Sequence, residues 1–124
     1  MSHKILVIED DCDMLALLSV LLHQADFEVL QANSSIEGLK LAQQAKPDLV
    51  LLDIVLPDLD GWETCRRLRE IADMPIVFVT ALADAETQSK GRDVGDDYII
   101  KPVDPRELIK RVRHHIADRA AKQL

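Results

Sequence analysis

Five short runs of apolar residues, separated by segments with helical periodicity, constrain the fold of this chain more than any other feature. The runs cover residues 4–9, 27–32, 48–53, 75–80 and 97–101, and most of them are rich in Val, Ile and Leu. Runs of this length and composition are typical of β-strands. Strands that alternate with helices predict a parallel sheet with helices on both faces. We therefore predict an α/β fold, a doubly wound, open, five-stranded parallel sheet with five helices.

The segments between the runs carry apolar residues at the spacing of helix faces. These residues are Met14, Leu17, Leu18, Leu21 and Leu22 in the first segment, Ile36, Leu39 and Leu41 in the second, Leu68 and Ile71 in the third, and Leu108, Val112 and Ile116 in the last. Ser34 and Glu37 have capping-box spacing, and Asp104 precedes Pro105 as an N-cap precedes proline at the first helical position. Residues 84–94 are mostly polar and include Gly91, so the helix expected there has the weakest pattern.

Length, cysteine content and the N-terminal sequence bound the class of protein. A chain of 124 residues suits one domain with its own core. Cys12 and Cys65 lie far apart and lack the close spacing of a zinc site, which favours two reduced thiols. The N-terminus lacks the apolar region of a signal peptide, and no stretch approaches the ~20 apolar residues of a membrane span. We expect a cytoplasmic protein without a membrane partner.

The charge of the chain argues against nucleic-acid binding by this domain. Its formal net charge is −7, from 15 basic and 22 acidic residues, whereas phosphate contacts need a basic face. The charge is uneven, because residues 101–124 contain seven Lys and Arg against three Asp and Glu. This basic segment is either the solvated face of the last helix or a surface for a partner, and the first explanation is the more common.

Polar side chains stand at the carboxyl ends of four predicted strands. They are Glu9, Asp10 and Asp11 after the first strand, Asp53 at the third, Thr80 at the fourth and Lys101 at the fifth. Sites in open parallel sheets form outside these ends. Each residue alone has an ordinary explanation, such as a helix cap or strand propensity. Together they predict one site, because a separate ordinary explanation would otherwise be needed at each of four corresponding strand ends.

The carboxylates in this set indicate which ligand the site takes. Three or more carboxylates in one small volume repel one another unless a cation lies among them. Mg²⁺ binds one or two carboxylates, keeps several waters and accepts phosphate oxygens. We therefore predict a Mg²⁺ site that receives a phosphoryl group, with Lys101 as a second positive charge.

The segments ILVIEDD, DLVLLDIVLPDLDG, PIVFVTA and DDYIIKP, followed by DPRELI, carry a family resemblance. In their order and near their spacing, the chain resembles a receiver domain of the two-component response-regulator family over essentially its whole length. The resemblance implies the flavodoxin-like strand order 2-1-3-4-5 and a single receiver domain, residues 1–124, with no effector domain in this chain. One departure lies between Thr80 and Lys101, where the chain is one residue shorter than usual and VGDDY replaces the common GADDY.

The resemblance also implies the phosphoacceptor and the metal ligands. Asp53 resembles the carboxylate that takes a phosphoryl group from a kinase phosphohistidine and becomes an acyl phosphate. Asp10 resembles a direct ligand of Mg²⁺, for which Mn²⁺ can substitute, and Asp53 shares the ion. Glu9 resembles the ligand that acts through a water, and the Val55 backbone carbonyl is the third protein ligand.

The remaining family positions imply how the phosphoryl group is held and sensed. Lys101 resembles the lysine that pairs with the acceptor and then with phosphoryl oxygens, and Thr80 the hydroxyl that moves to bond them. Tyr98 resembles the aromatic switch that turns inward after the threonine. Pro102 matches the proline that follows the lysine, where a cis peptide bond is expected.

The function implied is a phosphorylation-controlled signalling switch and not a turnover enzyme. Phosphorylation would change the surface of the fourth helix, fifth strand and fifth helix. The expected partners are a sensor histidine kinase or phosphotransfer protein, and an effector domain or downstream protein. A phosphorylation-dependent homodimer is also implied, since Glu107 and Arg111 fit the family's dimer surface although Gln88 and Asp118 stand where basic residues are usual.

Three alternatives fit the residues less well. A haloacid-dehalogenase-like phosphatase needs a second Asp two residues after its nucleophile, where this chain has Val55. A nucleotide hydrolase needs a GxxxxGK[ST] loop, which the sequence lacks. A receiver-like module that works without phosphorylation would not need the intact acidic set.

Overall fold

Strands and helices alternate strictly along the chain, as predicted. The computed structural model describes residues 2–122. The strands are β1 (Lys4–Ile8), β2 (Glu28–Ala32), β3 (Leu49–Leu52), β4 (Ile76–Thr80) and β5 (Asp97–Ile100). The helices are α1 (Cys12–Gln24), α2 (Ser35–Ala45), α3 (Gly61–Ile71), α4 (Ala85–Val94) and α5 (Pro105–Lys122). The predicted bounds of the five strands lie within one residue of these, and the helices fall in the segments between them, as predicted.

The five strands form one parallel sheet in the order β2-β1-β3-β4-β5, which confirms the predicted topology. Ile8 at the end of β1 is in register with Leu52 at the end of β3, and Thr80 at the end of β4 is in register with Ile100 of β5. The residues that follow these strand ends therefore emerge at one edge of the sheet. Glu9, Asp53 and Lys101 are among them.

The core consists of two layers, one on each face of the sheet. Alternate residues of β1 point to opposite faces, so Ile5 and Val7 join α1 and α5, whereas Leu6 and Ile8 join α2 and α3. All four of these side chains are at most 1% exposed. Burying an aliphatic side chain of this size contributes about 1.5–3 kcal/mol. The apolar runs of the sequence thus form a sheet that is covered on both faces.

Oxygen acceptors at the N-cap fix where four of the helices begin. Asp11, Ser34, Asp60 and Asp84 precede α1, α2, α3 and α4, and each side chain accepts a hydrogen bond from a backbone N–H of the first turn. The Ser34 hydroxyl accepts from the Glu37 N–H at 3.2 Å, as the capping-box spacing predicts. Pro105 is the first residue of α5, also as predicted. Three of these caps are aspartates, which suit the positive end of a helix dipole.

Helix α4 packs on aromatic rings through glycine, which explains why it forms despite its polar sequence. Gly91 is its one buried residue. A β-carbon at Gly91 would lie 2.4 Å from Cδ2 of Tyr98, and one at Gly95 would lie 2.6 Å from Cε2 of Phe78. The helix therefore approaches the sheet more closely than any residue with a side chain at these positions would allow.

The structure also bears on the predictions about thiols and membranes. Cys12 is exposed, Cys65 is buried, and the two are not bonded to each other. Within residues 2–122, none of the helices combines the length and the apolar composition that a membrane span requires.

Candidate functional site

Three acidic side chains meet at the carboxyl edge of the sheet. Glu9 and Asp10 follow β1, and Asp53 follows β3. One carboxylate oxygen from each lies within 4.8 Å of the other two. Glu9 and Asp53 are buried, whereas Asp10 is exposed. The parallel register of β1 and β3 explains this proximity, because the Asp53 N–H still donates to the Ile8 carbonyl at 3.1 Å. The predicted acidic cluster is therefore present.

Lys101 joins the cluster from the end of β5. Its Nζ donates to Oδ2 of Asp53 at 3.0 Å and also to Oε1 of Glu9. The Lys101–Pro102 peptide bond is cis, as predicted. One ammonium group thus pairs with the two buried carboxylates at the same time.

The environment separates the pKa values of the two buried carboxyl groups. Burial, together with the neighbouring carboxylate of Asp53, raises the pKa of Glu9 to about 7. Burial also acts to raise the pKa of Asp53, but its interactions with Glu9 and with the Lys101 ammonium outweigh burial and hold that pKa below its usual value. Asp53 is therefore ionised at neutral pH. Burial acts to lower the pKa of Lys101, yet its bonds to both acids raise it overall, so the lysine stays charged.

The donor set fits a hard divalent cation. Oε2 of Glu9 is buried and has no hydrogen-bond partner among the described residues 2–122. An orphaned carboxylate oxygen beside two further carboxylates suits an oxygen-binding ion such as Mg²⁺. The Val55 N–H donates to Oδ1 of Asp53 at 3.2 Å, so the backbone of Val55 lies at the edge of the cluster.

Thr80 and Tyr98 meet at Leu82, in the loop that follows β4. The Thr80 hydroxyl accepts a hydrogen bond from the Leu82 N–H at 3.4 Å. The Tyr98 hydroxyl donates to the Leu82 carbonyl at 2.6 Å. Tyr98 is only 2% exposed, so its ring occupies an inward position. It packs against Phe78, with ring centroids 6.3 Å apart.

Comparison with known proteins decides the family. The sequence model of the family described as "response regulator receiver domain" matches residues 5–113. This chain belongs to that family. As a receiver domain, it is a regulatory domain that serves as a phosphorylation-controlled switch in two-component signalling.

Curated relatives and a solved structure show the extent of the likeness. The receiver domain is 43% identical over 114 residues to the DNA-binding dual master transcriptional regulator RpaA of Synechocystis, covering 89% of this chain and 47% of that protein. It is 39% identical to the DNA-binding response regulator MtrA of Mycolicibacterium paratuberculosis, covering 91% of this chain and 51% of that protein. The chain thus spans about half the length of the curated relatives it matches.

A crystal structure of a CheY-like response regulator receiver domain protein from Methanospirillum hungatei supports the fold assignment independently. It superposes with a TM-score of 0.92 at 29% sequence identity, covering 98% of this chain and 99% of that one. The likeness therefore extends over nearly the whole of both chains.

Sequence reasoning missed several polar contacts around the site of this receiver domain. Asp58 accepts hydrogen bonds from the backbone of Ser35 and Ile36, and the buried hydroxyls of Ser35 and Thr64 lie 2.7 Å apart. These partners are separated by 22 to 29 positions in the sequence. No local pattern predicts them, since neither capping boxes nor helical periodicity extends over such separations.

The raised pKa of Glu9 predicts how the stability of the metal-free receiver domain depends on pH. A carboxyl group whose pKa is higher in the folded state stabilises the fold at low pH, and this contribution is lost as pH rises from about 4.5 to about 7. Glu9→Gln removes the ionisation. We expect the variant to gain stability relative to wild type between pH 5 and pH 8, by up to about 3 kcal/mol from the size of the shift. Urea unfolding in EDTA at pH 5 and at pH 8 measures the free energy of unfolding of both proteins.

Glu28→Gln, on the exposed surface of β2, controls for the loss of one negative charge. If the gain of Glu9→Gln over wild type is the same at both pH values, Glu9 is not the group whose ionisation is suppressed.

Proposed function

We propose that Asp53 of this receiver domain accepts a phosphoryl group from the phosphohistidine of a kinase or phosphotransfer protein. An Asp53 carboxylate oxygen attacks phosphorus, the bond between phosphorus and the imidazole nitrogen of the donor breaks, and an acyl phosphate forms. The observation that carries the proposal is the ion pair of Asp53 with Lys101 inside a cluster of acids. This pair keeps a nearly buried carboxylate ionised and places a cation where phosphoryl charge would develop.

The acidic cluster is the proposed Mg²⁺ site. Asp10 and Asp53 would bind the ion directly, Glu9 through a water, and Val55 through its backbone carbonyl. Once bound, the ion neutralises the carboxylates and the incoming phosphoryl oxygens, so that two anionic groups can approach each other. Lys101 remains the cation that the protein itself supplies.

Thr80 and Tyr98 are the proposed switch. A phosphoryl group on Asp53 adds negative charge and hydrogen-bond acceptors, which can draw the Thr80 hydroxyl away from Leu82. Because Tyr98 bonds to the carbonyl of the same Leu82, movement of this loop changes what the Tyr98 ring packs against. The change would reach the surface formed by α4, β5 and α5.

Arg111 links β5 to α5 on that surface. It donates to the Tyr98 carbonyl at 2.9 Å, to Asp97 at 3.1 Å and to Glu107 at 3.0 Å. A displacement of the Tyr98 backbone would therefore alter the setting of charged groups on the outer face. Homodimerisation through Glu107 and Arg111 would exchange some of these contacts within one chain for contacts between two chains.

The proposed output is control of transcription through an effector. The relatives RpaA and MtrA carry "DNA-binding" in their names and are about twice as long as the matched region. The receiver domain itself has a net charge of −7, which does not suit contact with DNA phosphates. DNA contact would thus belong to a different part of the full regulator, and the receiver domain would control it.

Acetyl phosphate provides a direct test of the proposed reaction. Incubation with acetyl phosphate and Mg²⁺, followed by intact mass spectrometry, should show the addition of one phosphoryl group. Because an acyl phosphate hydrolyses readily in base, brief alkaline treatment should remove it. A domain that gains no phosphoryl group, or one that resists base, would refute the assignment of an aspartyl phosphate.

Loss of the Asp10 carboxylate should weaken Mg²⁺ binding. Asp10→Asn replaces a charged oxygen ligand with a neutral amide, and we expect Mg²⁺ affinity to fall by about tenfold or more. Isothermal titration calorimetry measures the affinity. Asp13→Asn is the matched control, since Asp13 is an exposed carboxylate in the first turn of α1. Equal affinity in wild type and Asp10→Asn would show that Asp10 is not a ligand.

A further inference from the structure

A backbone hydrogen bond joins the two ends of the loop between β3 and α3, residues 54–60. At the α3 end, the Gly61 N–H donates to the Ile54 carbonyl at 2.7 Å. A β-carbon on Gly61 would lie 2.5 Å from Cα of Ile54, so only glycine permits this contact. The chain therefore folds back tightly on itself beside Asp53.

Asp58 ties the middle of this loop to the start of α2. Its Oδ1 accepts a hydrogen bond from the Ser35 N–H at 3.0 Å, and its Oδ2 accepts one from the Ile36 N–H at 2.9 Å. These N–H groups belong to the first turn of α2 and have no partner within that helix. One carboxylate thus satisfies two backbone donors of another element.

Buried hydroxyl groups strengthen the same connection. Ser35 and Thr64 are both fully buried, and their hydroxyl oxygens lie 2.7 Å apart. The Ser35 hydroxyl also donates to the Leu59 carbonyl at 3.0 Å. Polar groups buried in this way are costly to separate from their partners, so α2, α3 and the loop are held as one unit.

Val55 lies between these fixed points. Its side chain is 58% exposed, so packing of that side chain does little to position the residue. Its backbone N–H nevertheless donates to Oδ1 of Asp53. The position of the Val55 backbone therefore comes from its neighbours: Ile54 and Leu56 pack on the core, and the contacts at Gly61 and Asp58 hold the rest of the loop.

We propose that Asp58 is a positioning residue for the phosphorylation site. By tying the loop to α2, it holds the Val55 backbone beside Asp53 and so sets the affinity of the cluster for Mg²⁺. This inference rests on the proposed function, in which the Val55 carbonyl is a metal ligand.

The test compares Asp58→Ala with Ser34→Ala. Both variants remove a side-chain oxygen that accepts hydrogen bonds from backbone N–H groups in the first turn of α2. Only Asp58, however, belongs to the loop between β3 and α3. In the metal-free protein, the Val55 amide resonance should shift in Asp58→Ala and stay in place in Ser34→Ala. Mg²⁺ affinity by calorimetry should fall by about tenfold in Asp58→Ala alone, as for other groups that orient a metal ligand.

Asp58→Asn keeps one carbonyl oxygen that can accept from α2, so it should recover part of the affinity and serves if Asp58→Ala does not fold. An unmoved Val55 amide with unchanged affinity would overturn the proposal, and so would an equal loss in Ser34→Ala. If wild type itself fails to bind Mg²⁺, the proposed function fails, while the Val55 amide still reports whether Asp58 positions the loop.

Discussion

Asp53→Asn should abolish phosphorylation of this domain. The amide is a poor nucleophile, so an acyl phosphate cannot form at that position, and Lys101 loses one of its two carboxylate partners. We expect no phosphoryl adduct after incubation with acetyl phosphate and Mg²⁺ under conditions that phosphorylate wild type fully. Intact mass spectrometry, with and without alkaline treatment, measures the adduct.

Asp60→Asn is the control for this experiment. Asp60 is exposed and caps α3 by accepting a hydrogen bond from the Glu63 N–H, a role that asparagine also fills well. This variant should accept phosphate as wild type does. A base-labile adduct on Asp53→Asn would instead place the acceptor on another carboxylate.

Thr80→Val should separate the chemistry from the signal. The substitution keeps the shape of the side chain but removes the hydroxyl that bonds to Leu82 and is proposed to bond the phosphoryl group. A ligand shifts a conformational equilibrium only by its difference in affinity for the two states, so losing this bond reduces the response. Phosphate should still be accepted, more slowly, while beryllofluoride should change the amide resonances of α4 and α5 much less than in wild type.

Thr80→Ser retains the hydroxyl and is the matched comparison. It should respond to beryllofluoride nearly as wild type does. If α4 and α5 respond fully in Thr80→Val, the signal does not pass through this hydroxyl. Another group must then cause the movement of Leu82 and Tyr98.

The sequence predicts the sheet and the strand-end site because both depend on local patterns. The apolar run that stops at Asp53 predicts a buried strand with a carboxylate at its end, and the structure contains that arrangement. The predicted strands extend one residue too far at Glu9 and at Asp53. Here the chain already leaves the sheet, although the Glu9 N–H still donates to the Ala32 carbonyl. Apolar patterning does not detect where sheet pairing ends.

Features that depend on distant partners could not be predicted. The pKa of Glu9 reflects its burial and its contacts with Asp53 and Lys101, which lie 44 and 92 positions away. The inward position of Tyr98 depends on the Leu82 carbonyl and on the absence of a side chain at Gly91. Neither partner is part of the strand that contains Tyr98. Three-dimensional contacts therefore decide the electrostatics and the conformation of the switch.

The slight attachment of α4 determines how readily it can leave the sheet. Only Gly91 of this helix is buried, so detaching α4 exposes chiefly the rings of Tyr98 and Phe78 on which it packs, and it costs less free energy than global unfolding. Amide protons of α4 should consequently exchange with deuterium long before those of the sheet. If α4 opens in this way, it samples several positions, and a small energetic bias from the phosphorylation site would be enough to choose among them.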